Sequence, residues 1–315
     1  MTLKPPPCKT GDTIGVVSPA SPPTGQKAAL LQNGVAYIEK RGFQVKQGKF
    51  VQRKTGYLAG ADEERTNDFN NMFRDPSITA IFCSRGGFGS SRMLKDIDYE
   101  YIRRHPKIFI GYSDATALHL ALFQKTGLVT FSGPMVATEL GLGIDAETEA
   151  SLWSSVQRPA PEDLISISEQ VECRPYRSGQ ATGHILGGCL SVLVTLLGTT
   201  YCPDFKDAIL ILEDIGEDLY KIDRFLAQLE NSGVLNQING VVLGDFLDIK
   251  PDENPNPLNF DDLLNRYFGR LPCPVVTHFP YGHGTRKYTI PVGCRVNLDG
   301  YNGQLNFLES GVDDG

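Results

Sequence analysis

The feature that most constrains this chain is an alternation in its first half. Short apolar runs are each followed by a turn and then by a segment of helical spacing. "TIGVVSPAS" (13–21) is an apolar run stopped by Ser-Pro. "QKAALLQNGVAYIEKRG" (26–42) places Ala29, Leu30, Val35, Tyr37 and Ile38 near helical spacing and ends at Gly42. "FQV" (43–45) is short and leans towards strand. "ADEERTNDFNNMFRD" (61–75) is polar and helical, with acids in its first turn. "ITAIFCS" (78–84) and "KIFIGYS" (107–113) read as buried strands, and "DATALHLALFQKTG" (114–127) reads as a helix. "LVTFSGP" (128–134) closes the half. Strand–helix alternation with short turns predicts a parallel α/β sheet, because parallel neighbours need a crossover to bring the chain back.

Residues 142–178 change character, being polar and interrupted by Pro and Gly. They predict a helix near 147–156 and then a crossing linker. The second half resumes at "GQATGHILGGCLSVLVTLLGT". It offers strands at "AILILEDI" (208–215), "INGVVLGDF" (238–246) and "CPVVTHFP" (273–280), and a helix at 217–233. "KYTIPVGCRVNLDG" and "GQLNFLE" predict a closing β-hairpin. A chain of 315 residues favours two units over one core. The expected division is an N-terminal α/β domain at 1–160, a linker at 161–178 and a β-rich C-terminal domain at 179–315.

The net charge is −7, and acidic or basic residues never run five together, so no basic face for a nucleic acid is visible. Seven scattered cysteines without a Cys-x-x-Cys pair disfavour a disulfide framework or a zinc site and suit a reducing cytoplasm. "MTLKPPPCKTGD" has no apolar signal core, and no stretch approaches the roughly 20 apolar residues of a membrane span. The expectation is a cytoplasmic protein with no membrane partner.

Candidate chemistry starts at Ser113. A strand, a tight turn holding a serine and then a helix make a nucleophile elbow. Gly111-Tyr112-Ser113-Asp114-Ala115 has that context, with Ala115 in place of the second glycine of Gly-x-Ser-x-Gly. A Ser or Asp helix cap is the plainer reading. The loop "SRGGFGSSR" (84–92) also follows a strand, and its glycines can expose backbone N–H groups to an anion. Gly87-Phe88-Gly89 opens like a dinucleotide fingerprint, but Arg92 stands where the third glycine belongs. In a parallel sheet both loops fall at the carboxyl edge, where ligands bind.

A nucleophilic serine needs a base. His119 reads as a packed helix residue, His105 as exposed, and His184 as lying between glycine turns. His283, flanked by glycines in "FPYGHGTRKY", leads His278 on its loop position. An orienting carboxylate is offered by Glu213 or Asp214, at the end of the apolar run "AILILEDI". No Ser-x-x-Lys and no His-Glu-x-x-His occurs.

In this order the motifs resemble the LD-carboxypeptidase family of serine peptidases. That family includes muramoyl-tetrapeptide carboxypeptidases and microcin C self-immunity hydrolases. The likeness spans about 8–308 and is carried by "GDTIGVVSPAS", "CSRGGFGSSRML", "PKIFIGYSDATALHLAL", "GHILGGCLSVLVTLLGT", "LEDIGEDLYKIDRFLAQL", "GVVLGDF" and "YGHGTRKYTIPVG". The resemblance implies Ser113 as nucleophile, Glu213 as orienting acid and His283 as base. It implies an oxyanion hole from the backbone of Asp114 with Gly86 or Gly87. It also implies a homodimer, no metal or organic cofactor, and a small peptide or muropeptide substrate. Length favours release of terminal D-alanine from a murein tetrapeptide over hydrolysis of peptidyl-adenylate analogues. Cys189 departs from the Asn common in the family's Gly-Gly-Asn. Arg85 and Arg286 are candidates for a substrate carboxylate by charge and loop position. A nucleotide- or sugar-binding module using loop 84–92 is the non-enzymatic alternative.

Overall fold

The computed structural model describes residues 2–158 and 173–313. In chain order the strands are β1 (Thr13–Val17), β2 (Gln44–Gln47), β3 (Ile78–Cys83), β4 (Ile108–Gly111), β5 (Thr130–Ser132), β6 (Arg174–Arg177), β7 (Gln180–Cys189), β8 (Ile209–Ile215), β9 (Gly240–Leu247), β10 (Val275–Thr277), β11 (Ile290–Val292), β12 (Arg295–Asp299) and β13 (Gln304–Phe307). They form two sheets, ordered β11-β5-β4-β3-β1-β2 and β13-β12-β7-β8-β9-β10-β6.

The first sheet is parallel from β2 to β5, as the alternation predicts. Its inner strands β1, β3 and β4 are largely apolar because helices cover both faces, whereas edge strand β2 is polar and mostly exposed. Phe82, Phe109 and Phe131 have no exposed surface, and burying one such ring contributes about 1.5–3 kcal/mol. The order 2-1-3-4-5 puts the topological switch between β1 and β3, so the loops after those strands edge a ligand crevice. The second sheet is parallel from β7 to β10 and antiparallel at both sides.

The expected closing hairpin is only partly present. β12 and β13 form it, but β11 leaves its neighbours and pairs antiparallel with β5 at the edge of the first sheet. Arg174–Arg177, inside the expected linker, is edge strand β6, while 159–172 lie outside the described residues. His184 is in strand β7 opposite Arg295, not between turns. The helices Gln26–Lys40, Asp62–Arg74, Ala146–Gln157 and Leu219–Asn231 fall where periodicity places them. The helix Phe260–Tyr267 had no expectation, although its reciprocal Asn259/Asp262 capping box was a local signal.

His119 is buried on the helix Thr116–Thr126, between Thr130 Oγ1 at 2.9 Å and the Gly111 carbonyl at 2.8 Å. The carbonyl only accepts, so Nε2 carries the proton and Nδ1 accepts from the threonine. Burial pushes this imidazole down from 6.5 to about 4. The unfolded chain therefore takes up the proton first as pH falls, and stability contributed by His119 is lost between 6.5 and 4. The loss amounts to about 3 kcal/mol. Urea midpoints measured across that range should flatten in His119→Gln; an unchanged slope would remove His119 as the cause.

Candidate active site

The elbow is built locally. β4 ends at Gly111, Tyr112 is extended, and Ser113 has φ 62° at the start of a 3-10 turn leading into the helix Thr116–Thr126. A serine in the left-handed region is strained and persists only where its surroundings fix it. Ser113 is half-buried between buried Tyr112 and Asp114.

The glycine loop lies against this turn. A Cβ on Gly86 would stand 3.0 Å from Ser113 Oγ, so only glycine lets the loop backbone approach the hydroxyl this closely. Asp114 ties the two together. Its carboxylate accepts the Ser90 N–H at 2.8 Å, and its carbonyl accepts the Ser90 hydroxyl at 2.5 Å. Burial pushes this carboxyl upwards. Fully buried Arg65 braces the loop from behind, donating to the carbonyls of Gly89 and Pro19. The loop runs on into a 3-10 turn at Ser90–Asp96, not an α-helix. The dinucleotide fingerprint thus lacks the helix N-terminus that would hold a pyrophosphate.

Glu213 and Asp214 are adjacent on β8, where its register against β9 shifts, and the two carboxylates take different partners. Asp214 accepts the Ser191 N–H at 2.7 Å. Glu213, with 1 % of its side chain exposed, accepts from His283 Nδ1 at 2.7 Å. Because a carboxylate only accepts, Nδ1 carries a hydrogen in this bond, and the tautomer it selects is the one with Nε2 free to accept. Burial pushes the Glu213 carboxyl up, and the hydrogen bond from His283 opposes it. Gly282 is required here: its φ is 111°, and a Cβ would meet Glu213 Oε2 at 2.5 Å.

The carboxyl edges of the two sheets meet at this point. The His283 ring stands edge-on to Tyr112, with centroids 5.0 Å apart. Cys189 N–H, at the end of β7, donates to Thr116 Oγ1 at 3.0 Å, and the Ser132 and Tyr281 hydroxyls are 3.0 Å apart. Cys189 Sγ lies 3.6 Å from Asp214 Oδ1.

Sequence reasoning missed four residues around this junction. Asp245, on β9, accepts the Gly284 N–H at 3.1 Å and so steadies the His283 loop. Glu139 accepts the Tyr112 hydroxyl and the Lys287 ammonium, both at 2.7 Å. The only signal was a carboxylate closing an apolar run in "GVVLGDF", the pattern already noticed for Glu213.

The two candidate arginines separate. Arg286 makes an exposed ion pair with Glu147 at 3.0 Å. Arg85 reaches the Pro22 carbonyl at 3.5 Å, and its buried Nε has no hydrogen-bond partner among the described residues. A cavity of about 680 Å³ opens beside the His283 loop, bordered by Asp245, Phe246, Phe260, His278, Gly284 and Arg286.

Residues 14–133 match the LD-carboxypeptidase N-terminal domain, and 182–298 match the LD-carboxypeptidase C-terminal domain. The chain is 38 % identical over 319 residues to the "Probable murein peptide carboxypeptidase" of Bacillus subtilis (strain 168), covering 100 % of this chain and 97 % of the relative. Among solved structures, MccF in complex with glutamyl sulfamoyl guanosine superposes with a TM-score of 0.89 at 26 % identity, covering 99 % of this chain and 100 % of that one. Muramoyltetrapeptide carboxypeptidase from Oxalobacter formigenes gives 0.81 at 30 % identity, covering 94 % and 97 %. The chain therefore belongs to the LD-carboxypeptidase family and is a serine-type hydrolase.

Proposed function

We propose that this enzyme releases terminal D-alanine from murein tetrapeptide through Ser113, His283 and Glu213. The observation that carries the reading is the Glu213–His283 hydrogen bond packed against a strained serine elbow. His283 Nε2 takes the Ser113 proton as Oγ attacks the scissile carbonyl. The tetrahedral oxyanion is held by the backbone N–H of Asp114 with that of Gly86 or Gly87. Collapse breaks the C–N bond, and His283 gives its proton to the departing amine. Water then repeats the attack on the acyl-enzyme. Glu213 holds Nδ1–H throughout and stabilises the imidazolium.

Arg85 is the better candidate for the substrate's free carboxylate, since Arg286 already has a carboxylate partner. Arg85 lies at the switch between β1 and β3, beside Gly86. The reading keeps two units, 1–160 and 179–315 about a linker at 161–178, with β11 lent to the first sheet. It also takes the protein as a cytoplasmic homodimer, on the family resemblance.

The second reading is hydrolysis of peptidyl- or aminoacyl-adenylate analogues. The Phe246 and Phe260 rings, 4.9 Å apart on the cavity wall, favour it by offering a face for a base. Comparing kcat/KM on a defined murein tetrapeptide and an aminoacyl sulfamoyl-adenylate decides between them. D-alanine release with the higher kcat/KM is expected; a preference for the adenylate reverses the assignment.

A further inference from the structure

The His283–Glu213 pair sits among charged and titratable groups. Glu213 comes from β8 with Asp214 next to it, Asp245 from β9, Tyr112 from the elbow, Tyr281 and Lys287 from the His283 loop. Most of these are hydrogen-bonded to their neighbours. Lys287 pairs with Glu139 on the short helix Glu139–Leu142, which follows β5, so like the Tyr281–Ser132 contact it ties the His283 loop to the side of the first sheet.

Lys287 follows His283 by four positions, and only 3 % of its side chain is exposed. Its ammonium lies 2.7 Å from Glu139 Oε1 and 4.1 Å from the centroid of the Tyr112 ring. The same Glu139 oxygen accepts the Tyr112 hydroxyl at 2.7 Å. The second oxygen accepts from Thr138 Oγ1 at 2.6 Å and from the Met135 N–H at 3.1 Å. One carboxylate thus gathers the residue before the nucleophile and the segment after the base. A buried ion pair is a weak source of net stability but a strong registry device when its hydrogen bonds are complete.

We infer that the Lys287–Glu139 pair, with the Tyr112 ring between it and His283, is a positioning unit that sets the angle of the imidazole to Ser113 and the charge around it. The inference rests on the proposed roles of Ser113, His283 and Glu213. Two consequences follow from the geometry. Without the pair, Tyr112 and the 283–287 loop lose their common anchor, so the reacting atoms shift. An ångström of misplacement costs about 10²-fold in rate. Without the Lys287 charge, the site takes up a proton more readily. The positive charge also opposes protonation of Glu213 and Asp245.

The test reads the second-order rate of inactivation by diisopropyl fluorophosphate across pH, which needs no knowledge of the substrate. Lys287→Met should slow inactivation at the pH optimum by about 10–10²-fold. It should also move the acid limb to higher pH by about half a unit or more. Lys287→Arg, which keeps the charge and a donor to Glu139, should restore the limb. Should Lys287→Met fail to fold, Glu139→Gln gives the same readout with the opposite sign, since it leaves the lysine charge uncompensated. A slowed Lys287→Met with an unmoved limb means a merely structural role and overturns the inference, as does an unmoved or upward limb in Glu139→Gln. Wild-type protein that the probe does not label at Ser113 overturns the functional reading instead.

Discussion

Ser113→Ala is expected to abolish D-alanine release, lowering kcat by about 10⁴–10⁶-fold. Residual turnover would reflect only binding and the backbone donors of the oxyanion site. The fold should survive, because Ser113 Oγ is not what holds the turn. The turn is held by the Asp114–Ser90 bonds and by the close approach of Gly86. The backbone supplies an internal control. Alanine inherits the strain of φ 62°, whereas Ser113→Gly relieves it and should raise stability by about 1 kcal/mol while being equally inactive. Product analysis and thermal unfolding on the three proteins separate chemistry from folding. Wild-type release rates in Ser113→Ala would end the nucleophile assignment.

Glu213→Gln should lower kcat by about 10³–10⁴-fold with little change in KM. The amide keeps the size of the side chain but no longer commits His283 to the tautomer with hydrogen on Nδ1. It also removes the charge that stabilises the imidazolium. Stability should hold or rise, because a fully buried carboxylate beside Asp214 is costly to desolvate. Lost activity with a preserved melting temperature is the expected pair of results. Unchanged kcat would show that the Glu213–His283 contact is structural only.

The elbow was legible because a strand, a turn and a helix are local events. "KIFIGYSDATAL" carries all three within twelve positions, and the parallel sheet followed from the same local alternation. The choice of Glu213 and His283 needed the order of motifs along the whole chain, because "LED" and "GHG" are common patterns by themselves. The Lys287–Glu139 pair was not legible at all. Its partners lie 148 positions apart, and each is an ordinary residue in its own segment. Only the docking of the two sheets gives them a shared environment. β11 failed for a related reason: "TIPVG" has strand character, but propensity does not say which sheet a strand will join.

That last strand has a mechanical consequence. From His283 to Ile290 the chain advances 290 − 283 = 7 positions and passes from one sheet to the other. The proposed base is therefore carried on a span fixed at both abutments: by Glu213 on one side and by the backbone pairing of β11 with β5 on the other. Swinging the sheets apart would tear ladder hydrogen bonds, so the cleft works at a preset width. On the proposed roles, selection then falls on what can thread that aperture, with His283 held in place before any ligand arrives.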